Sequence, residues 1–322
     1  MNMRPFRATN TKPAPKIRRA VKAVRSGFRR YPRAIYGSLK AISSPDEPIH
    51  IPEILENLAN HDLAVLWLGH GSVAAQLEDM TVVVDPVLSD RIGMRIKGKT
   101  IGVQRIAPAP VSPESLIGSD IILITHAHFD HLDKPTLERM RDPKTTVITP
   151  HRCSKLIPNG FDQVIELSTN HSVTINNLTI TAIEPKHWGA RSLFDRKRGV
   201  NSYVLESNDQ RVLFTGDTAE TKSYKHLAAV PIDLAVFGIG AYDPWDHMHA
   251  TPEQAWKMFQ DLDARYLLPV HHSTFELSDE PVDAPMKRLL NKAGDQKDCI
   301  LEPIIGEIII IDTTDDPSED IE

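Results

Sequence analysis

The chain has 322 residues, with 37 lysines and arginines against 43 aspartates and glutamates and a formal net charge of −6. That length supplies a large core, its 2 cysteines exclude a disulfide framework and make a reducing, cytoplasmic setting the expectation. No apolar run approaches the roughly 20 residues of a membrane-spanning helix, so an integral helical membrane protein is not expected.

The charge is unevenly spread. Residues 1–44 carry 12 basic and no acidic side chains, which leaves 25 basic against 43 acidic residues in the remainder, a net of −18. Within this arm, Ile17, Ala20, Val21, Val24 and Phe28 fall at helical spacing between Lys16 and Arg30, with Pro15 suiting the start and Pro32 limiting the end. A basic amphipathic helix of this kind can lie on an anionic membrane, each basic side chain contributing about 1 kcal/mol. The same composition fits an organelle-targeting segment or a solvated tail. Nucleic acid is not an expected partner, because the body is acidic and carries no zinc-finger or stacking motif.

Ser43 to His61 reads as a linker with Pro45, Pro48 and Pro52. Apolar, β-branched runs then predict strands at 63–68, 81–84, 121–125, 145–149, 163–167, 178–183, 202–206, 212–215, 234–237 and 266–270. Helices are predicted over 134–141, 221–228, 252–262 and 285–293. This alternation suits an α/β fold, two mixed sheets flanked by helices in an αββα sandwich. Residues 312–322 form an acidic tail.

Chemistry concentrates at T-H-A-H-F-D-H-L-D, residues 125–133, directly after an apolar strand. Imidazole nitrogens and carboxylate oxygens are the donors that borderline cations such as zinc take. His126 and His128, two residues apart, can point one way from an extended turn, while Asp130 and His131 can point to a second position. Four such residues cannot complete two coordination spheres. His187, Asp217 and His271, each following a predicted strand, are the candidates to do so.

H-A-H-F-D-H at 126–131, K-H-W around His187, T-G-D-T at 215–218 and V-H-H-S-T-F at 270–275 together resemble the metallo-β-lactamase superfamily. W-L-G-H-G-S at 67–72, V-D-P at 84–86, G-A-Y-D-P at 240–244 and H-A-T-P-E-Q-A at 249–255 resemble the branch containing N-acyl-phosphatidylethanolamine-hydrolysing phospholipase D and its bacterial relatives. The resemblance implies an αββα hydrolase domain, here over 45–311. It also implies two zinc ions, one held by His126, His128 and His187, the other by Asp130, His131 and His271, with Asp217 between them. His249 is placed at the pocket, contacting phosphate or the leaving oxygen, with Asp130, Asp217 and His249 as the catalytic set; as a plain helix-start residue ahead of Thr251-Pro252, His249 would only help cap. The sequence departs from the branch at His272, where the better-known phospholipases carry tryptophan, so His271 and His272 both remain candidates for that ligand. His70 is expected at a turn on the site's edge, packed into the core or holding an outer hydrogen bond. Asp85 is expected to orient the ligand loop.

The implied activity is hydrolysis of a phospholipid phosphodiester by water that a metal pair deprotonates near neutral pH. A lactonase or other ester or amide hydrolase on a small soluble substrate would use the same centre, and a non-catalytic metal-binding protein is the third class. Expected partners are therefore a phospholipid or small ester, and an anionic membrane surface through residues 1–44, giving a cytoplasmic, peripheral protein. Oligomeric state is not legible.

Overall fold

The computed structural model describes residues 49–312 apart from 192–194, 196 and 209. The basic arm 1–44 with its predicted helix, and the acidic tail past 312, lie outside the described residues.

The first sheet contains β1 (Leu63–Gly69), β2 (Ser72–Leu77), β3 (Met80–Val84), β6 (Ile121–Leu123), β7 (Thr146–Pro150), β8 (Gln163–Leu167) and β15 (Ile308–Ile310). Their order is β15-β1-β2-β3-β6-β7-β8. The second sheet contains β9 (Ser172–Ile175), β10 (Leu178–Ile183), β11 (Ser202–Ser207), β12 (Gln210–Phe214), β13 (Ile232–Gly238) and β14 (Ala264–Val270), in the order β14-β13-β12-β11-β10-β9. A separate hairpin, β4 (Arg91–Ile96) with β5 (Lys99–Gln104), leaves the body between β3 and β6.

Between the sheets, Val65, Trp67, Val82 and Val84 of the first meet Ile180, Tyr203, Phe214 and Val236 of the second in one apolar cluster. The outer face of the first sheet, through Leu66, Val83 and Ile122, is covered by α1 (Ile54–Ala59) and α2 (Lys134–Arg139) using Leu58 and Leu137. The outer face of the second, through Leu213, Phe237 and Leu267, is covered by α3 (Pro252–Leu262) and α4 (Ala284–Ala293) using Trp256, Phe259 and Leu289. This is the expected αββα sandwich. β1 and β3 are buried at every position, which is why both read as unbroken apolar runs rather than alternating ones.

Strand direction decides where function sits. β1 and β3 both run antiparallel to β2, and β3 is parallel to β6. β10 and β12 both run antiparallel to β11, and β12, β13 and β14 are parallel. The segments leaving the C-terminal ends of β1, β3, β6, β10, β12 and β14 carry His70, Asp85, His126 to His131, His187, Asp217 and His271.

Three expectations are corrected. The linker reading of 43–61 misses α1, which forms because Ile54 and Leu58, one turn apart, share a buried face. The helix expected over 221–228 is a short 3-10 turn at Lys225–Ala229. There the Thr221 hydroxyl accepts from the Ser223 N–H at 3.1 Å, a local bond that competes with helix. The helix expected to reach residue 141 stops at Arg139. Strands β2, β4, β5, β9 and β15 add to those predicted; in β2, small Ala74 and Ala75 and a polar Gln76 hide the pattern, and Gln76 is buried by accepting from the Thr81 hydroxyl at 2.6 Å.

α3 begins with a capping box: Thr251 accepts from the Gln254 N–H, and Gln254 accepts from the Thr251 N–H at 3.0 Å. This cap fixes the point at which the chain leaves His249. Thr251→Ala should therefore lower the unfolding free energy by about 1 kcal/mol, read as the urea midpoint at unchanged slope.

Candidate metal centre

After β6 the chain runs without regular structure through Ala127 and then turns, with the N–H groups of His131 and Leu132 both reaching the His128 carbonyl, at 3.2 and 2.9 Å. The turn brings Asp130 and His131 back to the same centre, with the His131 ring centroid 4.1 Å from that of His126. Ligand-capable atoms gather in four overlapping groups, each within 4.8 Å: two four-residue sets, His126, His128, His187 and Asp217, and His70, Asp130, His131 and His271, and two triads, Asp85, His126 and His131, and Asp217, His249 and His271. All seven residues predicted as ligands are in one set or the other.

Asp217 lies between the sets. Its Oδ1 is 3.1 Å from His271 Nε2, and its Oδ2 is 3.3 Å from His131 Nε2, 3.6 Å from His187 Nε2 and 3.7 Å from His126 Nε2. Gly216 precedes it at φ +55, where an added Cβ would sit 2.8 Å from Thr125 Cβ, so the strand-end turn that aims Asp217 requires glycine. His249 joins from the loop before α3, its Nδ1 3.7 Å from Asp217 Oδ2 and its side chain partly exposed.

Outer contacts hold the ligand-capable side chains in place. Asp85 accepts from the Thr125 N–H at 2.7 Å and from the Thr125 hydroxyl, and it lies 2.7 Å from His131 Nδ1. Such a carboxylate fixes both tautomer and ring direction. His187 Nδ1 donates to the Met248 carbonyl at 2.9 Å, leaving Nε2 facing the centre. His271 and His272 separate cleanly. His271 is in the cluster, whereas His272 is 2.8 Å from the Ser273 hydroxyl through Nδ1 and lies 5.0 Å from the Trp67 ring.

His70 goes further than its expected edge position. It is buried, its Nε2 is 3.0 Å from Asp130 Oδ2, and its ring centroid is 4.0 Å from that of His271. In sequence its only signal is the G-H-G turn directly after a buried strand.

Burial pushes His126 and His187 down and His128 down to about 4, so these imidazoles are neutral near pH 7 with lone pairs available. Burial alone would raise Asp130 and Asp217, but the charge of His131 first, and of His271 on Asp217, holds both carboxyls well below their ordinary range. His131 is itself held high against burial by Asp217, Asp85 and Asp130.

Several buried atoms at the centre have no hydrogen-bond partner: both Asp217 oxygens, His131 Nε2 and His271 Nε2. Unpaired buried polar atoms are costly and rare. Here they converge, together with neutral imidazoles and ionised carboxylates, on a shared space. That donor set fits divalent cations of the zinc class.

Residues 80–272 match the β-lactamase superfamily domain. An uncharacterized protein of Mycobacterium tuberculosis is 31% identical over 284 residues, covering 82% of this chain and 73% of that one. The mitochondrial N-acyl-phosphatidylethanolamine-hydrolyzing phospholipase D of Saccharomyces cerevisiae is 31% identical, covering 81% of this chain and 59% of that one, and the Caenorhabditis elegans enzyme of the same description is 28% identical, covering 81% and 79%. Among solved structures, an isothiocyanate hydrolase from Delia radicum gut bacteria shares the fold with a TM-score of 0.63 at 18% identity, covering 78% of this chain and 100% of that one. A metallo hydrolase from Ignicoccus hospitalis does so with a TM-score of 0.58 at 18% identity, covering 77% and 97%.

Asp85 is fully enclosed and holds both His131 and the strand-end backbone, so Asp85→Ala should lower the unfolding free energy of the metal-free chain by about 3–5 kcal/mol. Chemical denaturation in chelator reads this directly.

Proposed function

The chain belongs to the metallo-β-lactamase superfamily and is a metal-dependent hydrolase, and from that premise we propose that it is a dinuclear zinc phosphodiesterase acting on a phospholipid of the N-acyl-phosphatidylethanolamine kind. The observation that carries the dinuclear reading is the buried Asp217 carboxylate, which has no hydrogen-bond partner and lies within 3.1–3.7 Å of imidazoles from both sets, His271 and His131 of one and His187 and His126 of the other. In this reading His126, His128 and His187 hold one cation and Asp130, His131 and His271 the other, with Asp217 shared. Similarity to the yeast and worm phospholipases supports the substrate class.

Bound there, the metal pair would supply Lewis acidity and an acidified water. The chain's own residues do the rest. Hydrolysis forms one P–O bond from water, breaks the P–O bond to the leaving alcohol, and delivers a water proton to that alcohol. His249, with Nδ1 turned towards Asp217, has its Nε2 edge left to hydrogen-bond a phosphoryl or leaving oxygen. Burial holds it neutral, so it orients and donates rather than adding a fixed charge. His70, against Asp130 and the His271 ring, keeps the second set from rotating.

Elemental analysis after chelator-free purification should find close to two zinc-class ions per chain. Asp217→Ala should lose metal and turnover together, and His271→Ala should deplete one ion, whereas His272→Ala should keep both. Recovery of one ion or none from the intact chain would end the dinuclear reading.

His249→Ala should keep both ions and lower kcat by about 10²–10⁴-fold, the range for a positioned proton donor. The substrate class is tested by assaying the purified chain on N-acyl-phosphatidylethanolamine vesicles, a soluble phosphodiester and a lactone. Release of phosphatidic acid is expected, and turnover of the lactone alone would sink the phospholipid reading.

A further inference from the structure

The β4–β5 hairpin has a composition unlike the acidic body it leaves. From Arg91 to Ile106 it carries Arg91, Arg95, Lys97, Lys99 and Arg105 and no acidic residue. Its antiparallel register pairs Ile92 with Val103 and Met94 with Ile101, so these side chains share one face. At the base that face is covered, since Ile92 and Val103 join Val87, Phe129, Phe275 and Leu277 in a small apolar cluster. Towards the tip it is not: Met94 is 60% and Ile96 47% exposed, with Lys97 and Lys99 exposed beside them. Phe129 stands between His128 and Asp130, and the Phe275 ring lies edge-on to His70 at 5.2 Å, so the hairpin is rooted in the wall of the metal centre. Trp188, next to His187 and 5.5 Å from the His128 ring, is 44% exposed at the same centre.

We infer that this hairpin docks on an anionic phospholipid surface, inserting Met94 and Ile96 among the headgroups while Lys97 and Lys99 meet lipid phosphates, and so seats the metal centre over the bilayer. Apolar side chains flanked by lysines are complementary to an interface that is apolar beneath and negative above, and the net acidic charge of residues 45–322 disfavours presenting an acidic face to that interface. The inference deepens the phospholipid reading and rests on it for the identity of the surface, not for the chemistry at the metal.

The test uses the full chain, with Met94→Asp/Ile96→Asp and Lys97→Glu/Lys99→Glu as separate double variants at exposed positions, in cosedimentation with vesicles of phosphatidylcholine alone or mixed with phosphatidylglycerol. Binding to mixed vesicles should fall about tenfold or more in each variant. Turnover of vesicle-borne lipid should fall with it, while kcat/KM for a soluble phosphodiester stays at the wild-type value. Variants that bind mixed vesicles as the wild type does overturn the inference. If the wild type ignores vesicles and the variants instead dissociate a dimer in sedimentation velocity, the face belongs to a second copy and the inference falls. Loss of vesicle binding in a chain that hydrolyses no phospholipid upholds the docking surface and removes the phospholipid substrate.

Discussion

Burying an ionised carboxylate costs several kcal/mol unless opposite charge or donors surround it, and Asp217, 3% exposed with neither oxygen hydrogen-bonded, imposes that requirement on everything near it. Imidazoles reach it from segments after β6, β10 and β14 at 3.1–3.7 Å. No local stretch of chain could supply such an enclosure. It needs two sheets whose functional strands end at the same edge, so that side chains from both cross the gap between them. The sandwich is, in this sense, the scaffold that the carboxylate's environment demands.

Backbone conformation shows how tightly that edge is held. His70, Asp85 and His271, at the ends of β1, β3 and β14, all have positive φ, at 53, 44 and 63. For non-glycine residues this is unfavourable and persists where surroundings over-determine it. The surroundings are visible. The His70 carbonyl accepts from Trp67 Nε1 and from the His271 N–H, both at 2.9 Å, and its N–H reaches the Thr274 hydroxyl at 2.7 Å. Arg105 donates to the carbonyls of Leu68, Val87 and Ala107, tying three rim segments with one guanidinium. Arg191 does the same for the ligand turn through Ala127 and Leu132, stacking 4.2 Å over Phe129. These backbone contacts fix the rim from which the imidazoles project, in addition to the bonds that the rings themselves make to Asp85 and the Met248 carbonyl.

Much of this was legible in the sequence, for a physical reason. Strands buried on both faces are continuous apolar runs, and ligand-capable residues directly after them stand out against that background, as at Ile121 to His131. The spacing of the H-x-H-x-D-H turn allowed donors to point two ways, while their division between two cations rested on the resemblance. What escaped has reasons too. For His70 the sequence left core packing and an outer hydrogen bond open, and only its fold-distant neighbour Asp130 names the partner. α1 is too short to show more than one period, and β2 hides behind alanines. Arg105 and Arg191 bond carbonyls far away in sequence, and nothing in their local context announces it.

The distribution of charge then poses a question that net charge answers wrongly. A chain of net −6 should repel an anionic substrate, yet at physiological ionic strength the Debye length is about 8 Å, so what an approaching phosphate senses is the rim rather than the whole. That rim is locally cationic: Lys186 precedes His187, Arg191 lies over the ligand turn, and the hairpin rooted against Phe129 is free of acidic residues. Glu276 and Glu280 share a cavity with His70 and His271, so the cationic stretch covers only the His187 and hairpin sides of the rim. A cationic stretch on one part of the rim favours an approach in which a negative surface meets that part of the strand-end edge. The exposed Met94 and Ile96 lie outside the apolar cluster through which the hairpin's base meets Phe129 and Phe275, so substitutions at the tip and at the strand-end pit fall on separate parts of the structure.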